Sequence, residues 1–225
     1  MLPAQRPRIK ICCIGSLEEA RLAVAYGASA LGLVSEMPGG PGVIPEELIA
    51  RIAARVPPAV STFLLTSHQD AGAIIAQQRA CRTSTIQLCD RLPLDDVRRL
   101  RAALPGIALV QVVHVTGAEA VEEAVTVAPQ VHGLLLDSGN RSLPVKELGG
   151  TGRTHDWDIS RRIREAVDVP VFLAGGLNPK NVRDAIDTVS PFGVDVCSGV
   201  RSSGALDETK LAAFFRQVAG AELAH

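Results

Sequence analysis

Leu134-Leu135-Leu136-Asp137 is an apolar run ended by a carboxylate, and Gly149-Gly150-Thr151-Gly152-Arg153-Thr154-His155-Asp156-Trp157 follows it as a glycine-rich loop before a helical pattern. A short apolar run of this kind reads as a strand buried on both faces. A strand that delivers an acid at its carboxyl end, then a loop and a helix, is one unit of a parallel α/β barrel. Working outward, the same unit recurs in both directions. Apolar runs at 8–14, 30–34, 60–65, 85–88, 108–114, 133–137, 169–174 and 193–197 alternate with helical patterns at 17–26, 45–56, 70–80, 94–104, 118–128, 158–167, 179–189 and 207–218. Ser16-x-x-Glu19 and Thr116-x-x-Glu119 read as capping boxes. Asn178 before Pro179 reads as an N-cap followed by the residue best suited to the first helical position.

Eight β-α units in 225 residues leave no room for a second domain. Their short connections favour a closed parallel barrel over an open sheet. The expectation is an α/β protein, a single-domain (β/α)8 TIM barrel over residues 1–225, with flexible ends at 1–7 and 220–225. An open dinucleotide-binding sheet would place Gly-x-Gly-x-x-Gly after its first strand, and Cys12-Cys13-Ile14-Gly15-Ser16 does not fit.

Composition narrows the function. The chain carries 23 basic and 24 acidic residues, a formal charge of −1, with no basic run of five or more. That speaks against nucleic acid or a membrane surface as partner. No apolar run approaches the ~20 residues of a membrane helix, so a soluble cytoplasmic protein is expected. Five cysteines without Cys-x-x-Cys spacing argue against a zinc site or a disulfide framework. Free, mostly structural thiols are expected, and if Cys12 and Cys13 lie in a strand they point to opposite faces. The histidines show no metal-ligand spacing, and no metal site is expected.

Catalytic groups of such a barrel sit at the carboxyl ends of strands. Asp137 and Cys12 both meet that rule. Lys10 shares a face with Cys12, and its ammonium is expected to favour the thiolate and lower the cysteine pKa. The bland alternatives are a loop aspartate capping amides and a cysteine packed as a small hydrophobe. Gly175-Gly176 after the seventh strand and Ser198-Gly199 after the eighth stand where barrels of this class bind phosphate through backbone amides. His114 ends the fifth strand and reads as a satisfied strand-end histidine, Asp195 as a structural hydrogen-bonding group inside strand eight, and Asp156 and Asp158 as helix-start residues.

In combination these motifs resemble the phosphoribosylanthranilate isomerase family. The family's Lys-Ile-Cys-Gly stands here as Lys10-Ile11-Cys12-Cys13, and its Gly-Gly-Thr-Gly-Lys-Thr-Phe-Asp-Trp as Gly149 to Trp157 with Arg153 and His155 substituted. Its Leu-Ala-Gly-Gly-Leu-Asn-Pro matches residues 173–179, and its Gly-Val-Asp-Val-Ser-Ser-Gly-Val-Glu appears as residues 193–201. The resemblance implies a cofactor-independent Amadori rearrangement of N-(5-phosphoribosyl)anthranilate in tryptophan biosynthesis. Its partner would be a phosphorylated ribosylamine. Asp137 would be the general acid and Cys12 the general base, while Lys10, Gly150, Gly152, Gly175, Gly176, Ser198 and Gly199 would bind substrate and phosphate.

Three departures accompany the likeness. The family's Ser-Pro-Arg after strand two, whose arginine is expected to hold the anthranilate carboxylate, is replaced by Ser35-Glu36-Met37-Pro38-Gly39-Gly40-Pro41-Gly42-Val43. Gln-Leu-His-Gly after strand four becomes Gln87-Leu88-Cys89-Asp90, and the last glutamate becomes Arg201. Catalysis is expected to be intact and aglycone recognition altered, with Arg153 or Arg201 as candidate substitutes for the missing cation. The alternatives are a paralogue isomerising another phosphoribosylamine and a non-catalytic barrel that binds phosphorylated ligands.

Overall fold

The first and last strands of the barrel meet in parallel, β1 (Arg8–Ile11) against β8 (Gly193–Val196), with Lys10 opposite Asp195. This seam closes a ring β1-β2-β3-β4-β5-β6-β7-β8 in a computed structural model that describes residues 6–221. The intervening strands are β2 (Ala30–Val34), β3 (Ser61–Thr66), β4 (Thr85–Leu88), β5 (Ala108–His114), β6 (Gly133–Asp137) and β7 (Val171–Leu173). Each is followed by a helix: α1 (Leu17–Ala25), α2 (Glu46–Ala53), α3 (Ala71–Cys81), α4 (Leu94–Ala103), α5 (Glu119–Val127), α6 (Trp157–Ala166), α7 (Val182–Val189) and α8 (Glu208–Ala219). A short antiparallel pair, β9 (Arg201–Ser202) with β10 (Ala205–Leu206), precedes α8.

The strands are almost wholly buried because the sequence alternates between two hydrophobic layers. Ile11, Leu31, Leu33, Leu64, Ile86, Leu134, Leu136 and Val194 face the helices, while Phe63, Leu65, Val110, Val112, Leu135 and Phe172 fill the interior. Phe63 and Phe172 meet edge-on inside the barrel, ring centres 5.9 Å apart.

The eight-unit alternation matches the sequence reading, and the ends of several elements differ. β1 stops at Ile11 because Cys13 adopts φ 60°, a left-handed turn that breaks the strand. That turn also undoes the expected opposition of the two vicinal cysteines, since Cys12 and Cys13 line the same cavity. Helix α7 begins at Val182, not Pro179. Asn178 accepts from the Lys180 amide in a local turn, and Asn181 takes the N-cap position. Ser16 caps α1 as expected, but Thr116 bonds the Glu119 carboxylate and leaves α5 without a side-chain cap. Of the ends expected to be flexible, Pro7 and Ala221 are buried and Gly220 is the C-cap of α8. Residues 1–5 and 222–225 lie outside the described residues.

The expectation of five unpaired thiols needs correction. Cys13 and Cys197 are joined by a disulfide, their Cα atoms 5.9 Å apart across 184 residues of sequence. Barrel closure brings the ends of β1 and β8 together, a juxtaposition that local spacing does not encode. Cys12, Cys81 and Cys89 are free and buried.

Candidate active site

At the carboxyl end of the barrel a cavity of about 700 Å³, counted with its open mouth, is lined by both proposed catalytic residues. Asp137 ends β6, 7 % exposed, and accepts from the Ser138 amide at 2.7 Å. Burial pushes its carboxyl up to about 6; the Asp195 carboxylate adds to this, while Ser138 and Lys10 pull the other way. An acid tuned to that range can hold a proton near neutrality and release it to a substrate.

Cys12 follows β1 and is 6 % exposed, with its sulfur 3.5 Å from Lys10 Nζ. The sulfur has space because the facing residue of β2 is Gly32, where a Cβ would stand only 2.6 Å from Cys12 Sγ. The expected lowering of the Cys12 pKa does not occur. Burial first, and then the Asp195 carboxylate, raise the thiol to about 11, with Lys10 offsetting only part. The reason is the register of the seam: Lys10 is fully buried and stands 2.9 Å from Asp195 Oδ1, which takes up its charge. Burial works against the Lys10 ammonium, and the Asp195 carboxylate, with Cys12, more than offsets it and holds the group charged. Its Nζ also lies 5.2 Å from the centre of the Phe63 ring. Lys10 is therefore an organiser beneath the floor of the cavity, not a group on its surface.

The glycine loops come together as the spacing suggests. Gly150, Gly152, Gly175, Gly176 and Ser198 line the cavity. Gly199 does not; it packs on the preceding loop, where a Cβ would fall 2.0 Å from the Leu177 carbonyl. Among the described residues the amides of Gly175, Gly176 and Ser198 find no backbone acceptor outside helices and strands. Free donors on these residues suit an anion without a cationic side chain. Loop 138–156 is tied down on the same side by Ser138 Oγ to Thr151 Oγ1 at 2.7 Å and by His155 Nε2 to Ser160 Oγ at 2.7 Å.

Other sequence readings resolve here. Asp195 makes its structural ion pair and also lines the cavity, a role its place inside a strand concealed. Gln87, Cys89, Met37 and Pro41 line it too. His114 is buried away from this cavity but is not the satisfied histidine expected, since neither ring nitrogen has a hydrogen-bond partner among the described residues; burial drives it down to about 4, so it is neutral at physiological pH. Asp156 caps α6 by accepting from the Asp158 and Ile159 amides, as expected of a helix-start residue.

The whole arrangement has close relatives. Residues 9–217 match the family model described as N-(5'phosphoribosyl)anthranilate (PRA) isomerase. The N-(5'-phosphoribosyl)anthranilate isomerase of Haloferax volcanii is 39% identical over 204 residues, 89% of this chain and 87% of that protein. The phosphoribosyl anthranilate isomerase structure from Thermotoga maritima superposes with a TM-score of 0.82 at 31% identity, covering 95% of this chain and 99% of that one. A phosphoribosyl anthranilate isomerase in complex with reduced 1-(o-carboxyphenylamino)-1-deoxyribulose 5-phosphate superposes at 0.79 with 30% identity and the same coverage. A family-model match along nearly all of the chain, with the barrel and its carboxyl-end cavity in place, establishes that this chain belongs to the phosphoribosylanthranilate isomerase family.

Proposed function

We propose that the chain isomerises N-(5-phosphoribosyl)anthranilate to 1-(2-carboxyphenylamino)-1-deoxyribulose 5-phosphate, an aldose–ketose rearrangement in tryptophan biosynthesis. The observation that carries this reading is that one cavity is lined by a carboxyl raised to about 6, a buried cysteine and the glycine loops after β6, β7 and β8. The phosphate sits on the amides of Gly175, Gly176 and Ser198, with Gly150 and Gly152 closing over it. Asp137 gives its proton to the furanose ring oxygen. The bond from that oxygen to C1′ breaks as the nitrogen lone pair forms the C1′–N double bond.

The iminium so formed is a cation beside Cys12. A neighbouring positive charge favours a thiolate, so the thiol raised in the empty site gives its proton to solvent through the open mouth of the cavity once the iminium has formed, and becomes a base. Cys12 then removes the C2′ proton, and the enolamine tautomerises to the ketone. Lys10 and Asp195 position Cys12 and hold the local charge balanced.

Such an enzyme works in the cytoplasm, where thiols are kept reduced. There Cys13 and Cys197 stand as a dithiol, and the disulfide is the oxidised form of the same pair. Retention of the acid and base together favours an enzyme over a barrel that only binds phosphorylated ligands. Complementation of a tryptophan auxotroph lacking this isomerase tests the reading. Growth restored by the wild-type chain and not by Cys12→Ser supports it, and failure of a well-expressed, folded chain counts against it.

A further inference from the structure

The product of the proposed reaction carries an aromatic carboxylate, and the cavity offers it no cation. Among its lining residues the charged side chains are Asp137 and Asp195, both carboxylates. Neither candidate substitute arginine faces it. Arg153 is paired with Glu147 and 58 % exposed. Arg201 is bonded to Glu19 at 2.8 Å and to the Cys13 carbonyl, outside the lining. Glu36 is exposed and also outside it, so it adds no repulsion.

Away from the phosphate loops, the ends of β3 and β4 and the segments after β2 and β6 give the cavity wall Met37, Pro41, Leu65, Gln87, Cys89 and Leu148. All six are uncharged. The segment after β2 that supplies Met37 and Pro41 is pinned by close backbone approach. At Gly42, φ 83°, a Cβ would stand 2.5 Å from Cys13 Cβ, and at Gly150 a Cβ would stand 2.6 Å from Pro41 Cδ. The segment after β2 is therefore held against the end of β1 and the 149–152 loop as part of an uncharged wall. An aromatic ring finds contact area there, while a carboxylate on that ring would lose water and meet no cation, the Gln87 amide being the one polar side chain among the six.

We propose that this end of the cavity is an uncharged aglycone subsite: the enzyme turns over N-(5-phosphoribosyl) arylamines that lack the ring carboxylate at least as efficiently as the anthranilate. This rests on the isomerase reading above and adds a substrate class to it.

The test compares kcat/KM for N-(5-phosphoribosyl)anthranilate and N-(5-phosphoribosyl)aniline, in the wild type and in Gly39→Arg. Gly39 lines the cavity, has no positive φ, and its Cβ would meet only Val145 Cγ1 at 3.8 Å, so an arginine is tolerated there. The expected result is a wild-type aniline value equal to or above the anthranilate value. Gly39→Arg should move the ratio toward anthranilate by about ten- to a hundredfold, the usual gain from a charge-assisted hydrogen bond. A wild-type preference for anthranilate of tenfold or more overturns the uncharged subsite and leaves the isomerase reading standing. If the folded wild type turns over neither, the isomerase reading fails. The subsite is then decided by titration with reduced 1-(o-carboxyphenylamino)-1-deoxyribulose 5-phosphate and its counterpart lacking the carboxylate. Equal or tighter binding of the latter supports it, and tenfold weaker binding overturns it.

Discussion

Asp137 holds its carboxyl at about 6 against an ordinary 3.8, chiefly through burial, and this has a cost that can be measured. Between those two values the folded chain binds more protons than the unfolded one, so stability falls as pH rises through the window. The interval corresponds to about 3 kcal/mol, fully present above pH 6 to 7 and absent below about 4. Asp137→Asn never charges, so the variant is expected to be more stable than the wild type by about 2–3 kcal/mol at pH 8. The gain should vanish near pH 4. Thermal unfolding of both proteins across that range checks it, and a variant less stable at pH 8 would refute the account of the raised pKa.

The placement of Asp137 and Cys12 at strand ends is legible in the sequence because position relative to a strand end is a local property. The direction of the Cys12 shift is not. It depends on Asp195, which reaches Lys10 only when β8 closes on β1.

At the scale of elements, the loops after β6 and β7 approach each other more closely than side chains allow. Gly176 has φ 62°, and a Cβ there would stand 2.6 Å from the Arg153 carbonyl carbon. A β-branched residue would strain the backbone by about 1–3 kcal/mol and push the 149–154 loop away. Gly176→Val is thus expected to lose inorganic-phosphate binding and also to lower the melting temperature, which calorimetric titration and thermal unfolding would read separately. Unchanged phosphate affinity would remove these loops from the phosphate site.

Strand and helix order at this scale followed from apolar periodicity. The late start of α7 did not, because Asn178 and Asn181 exchange the cap role through a turn: the Asn181 side chain accepts from the Asn178 amide at 2.8 Å. Both residues suit an N-cap equally well in sequence.

For the whole molecule, the ring closes where β1 meets β8, and the Cys13–Cys197 bond staples that seam across 184 residues. A cross-link over so long a loop restricts the unfolded chain strongly, and about 2–4 kcal/mol is the usual stabilisation. Treating the purified oxidised protein with dithiothreitol should lower its melting temperature by roughly 5–15 °C, with no such effect in a Cys13→Ser, Cys197→Ser variant. Equal melting temperatures in both redox states would show that the bond adds nothing to closure. Cysteine spacing could not reveal this pair, since only the closed topology places residues 13 and 197 side by side.

The same closure sets Cys12 and Asp137 on one cavity, and the account stands on their joint action. The most direct measurement is turnover of N-(5-phosphoribosyl)anthranilate by the purified wild type, Cys12→Ser and Asp137→Asn. The account predicts isomerisation by the wild type and a loss of at least about 100-fold in kcat for each variant, the scale of a missing positioned acid or base, with KM much less changed. Near-normal turnover in either folded variant would contradict it.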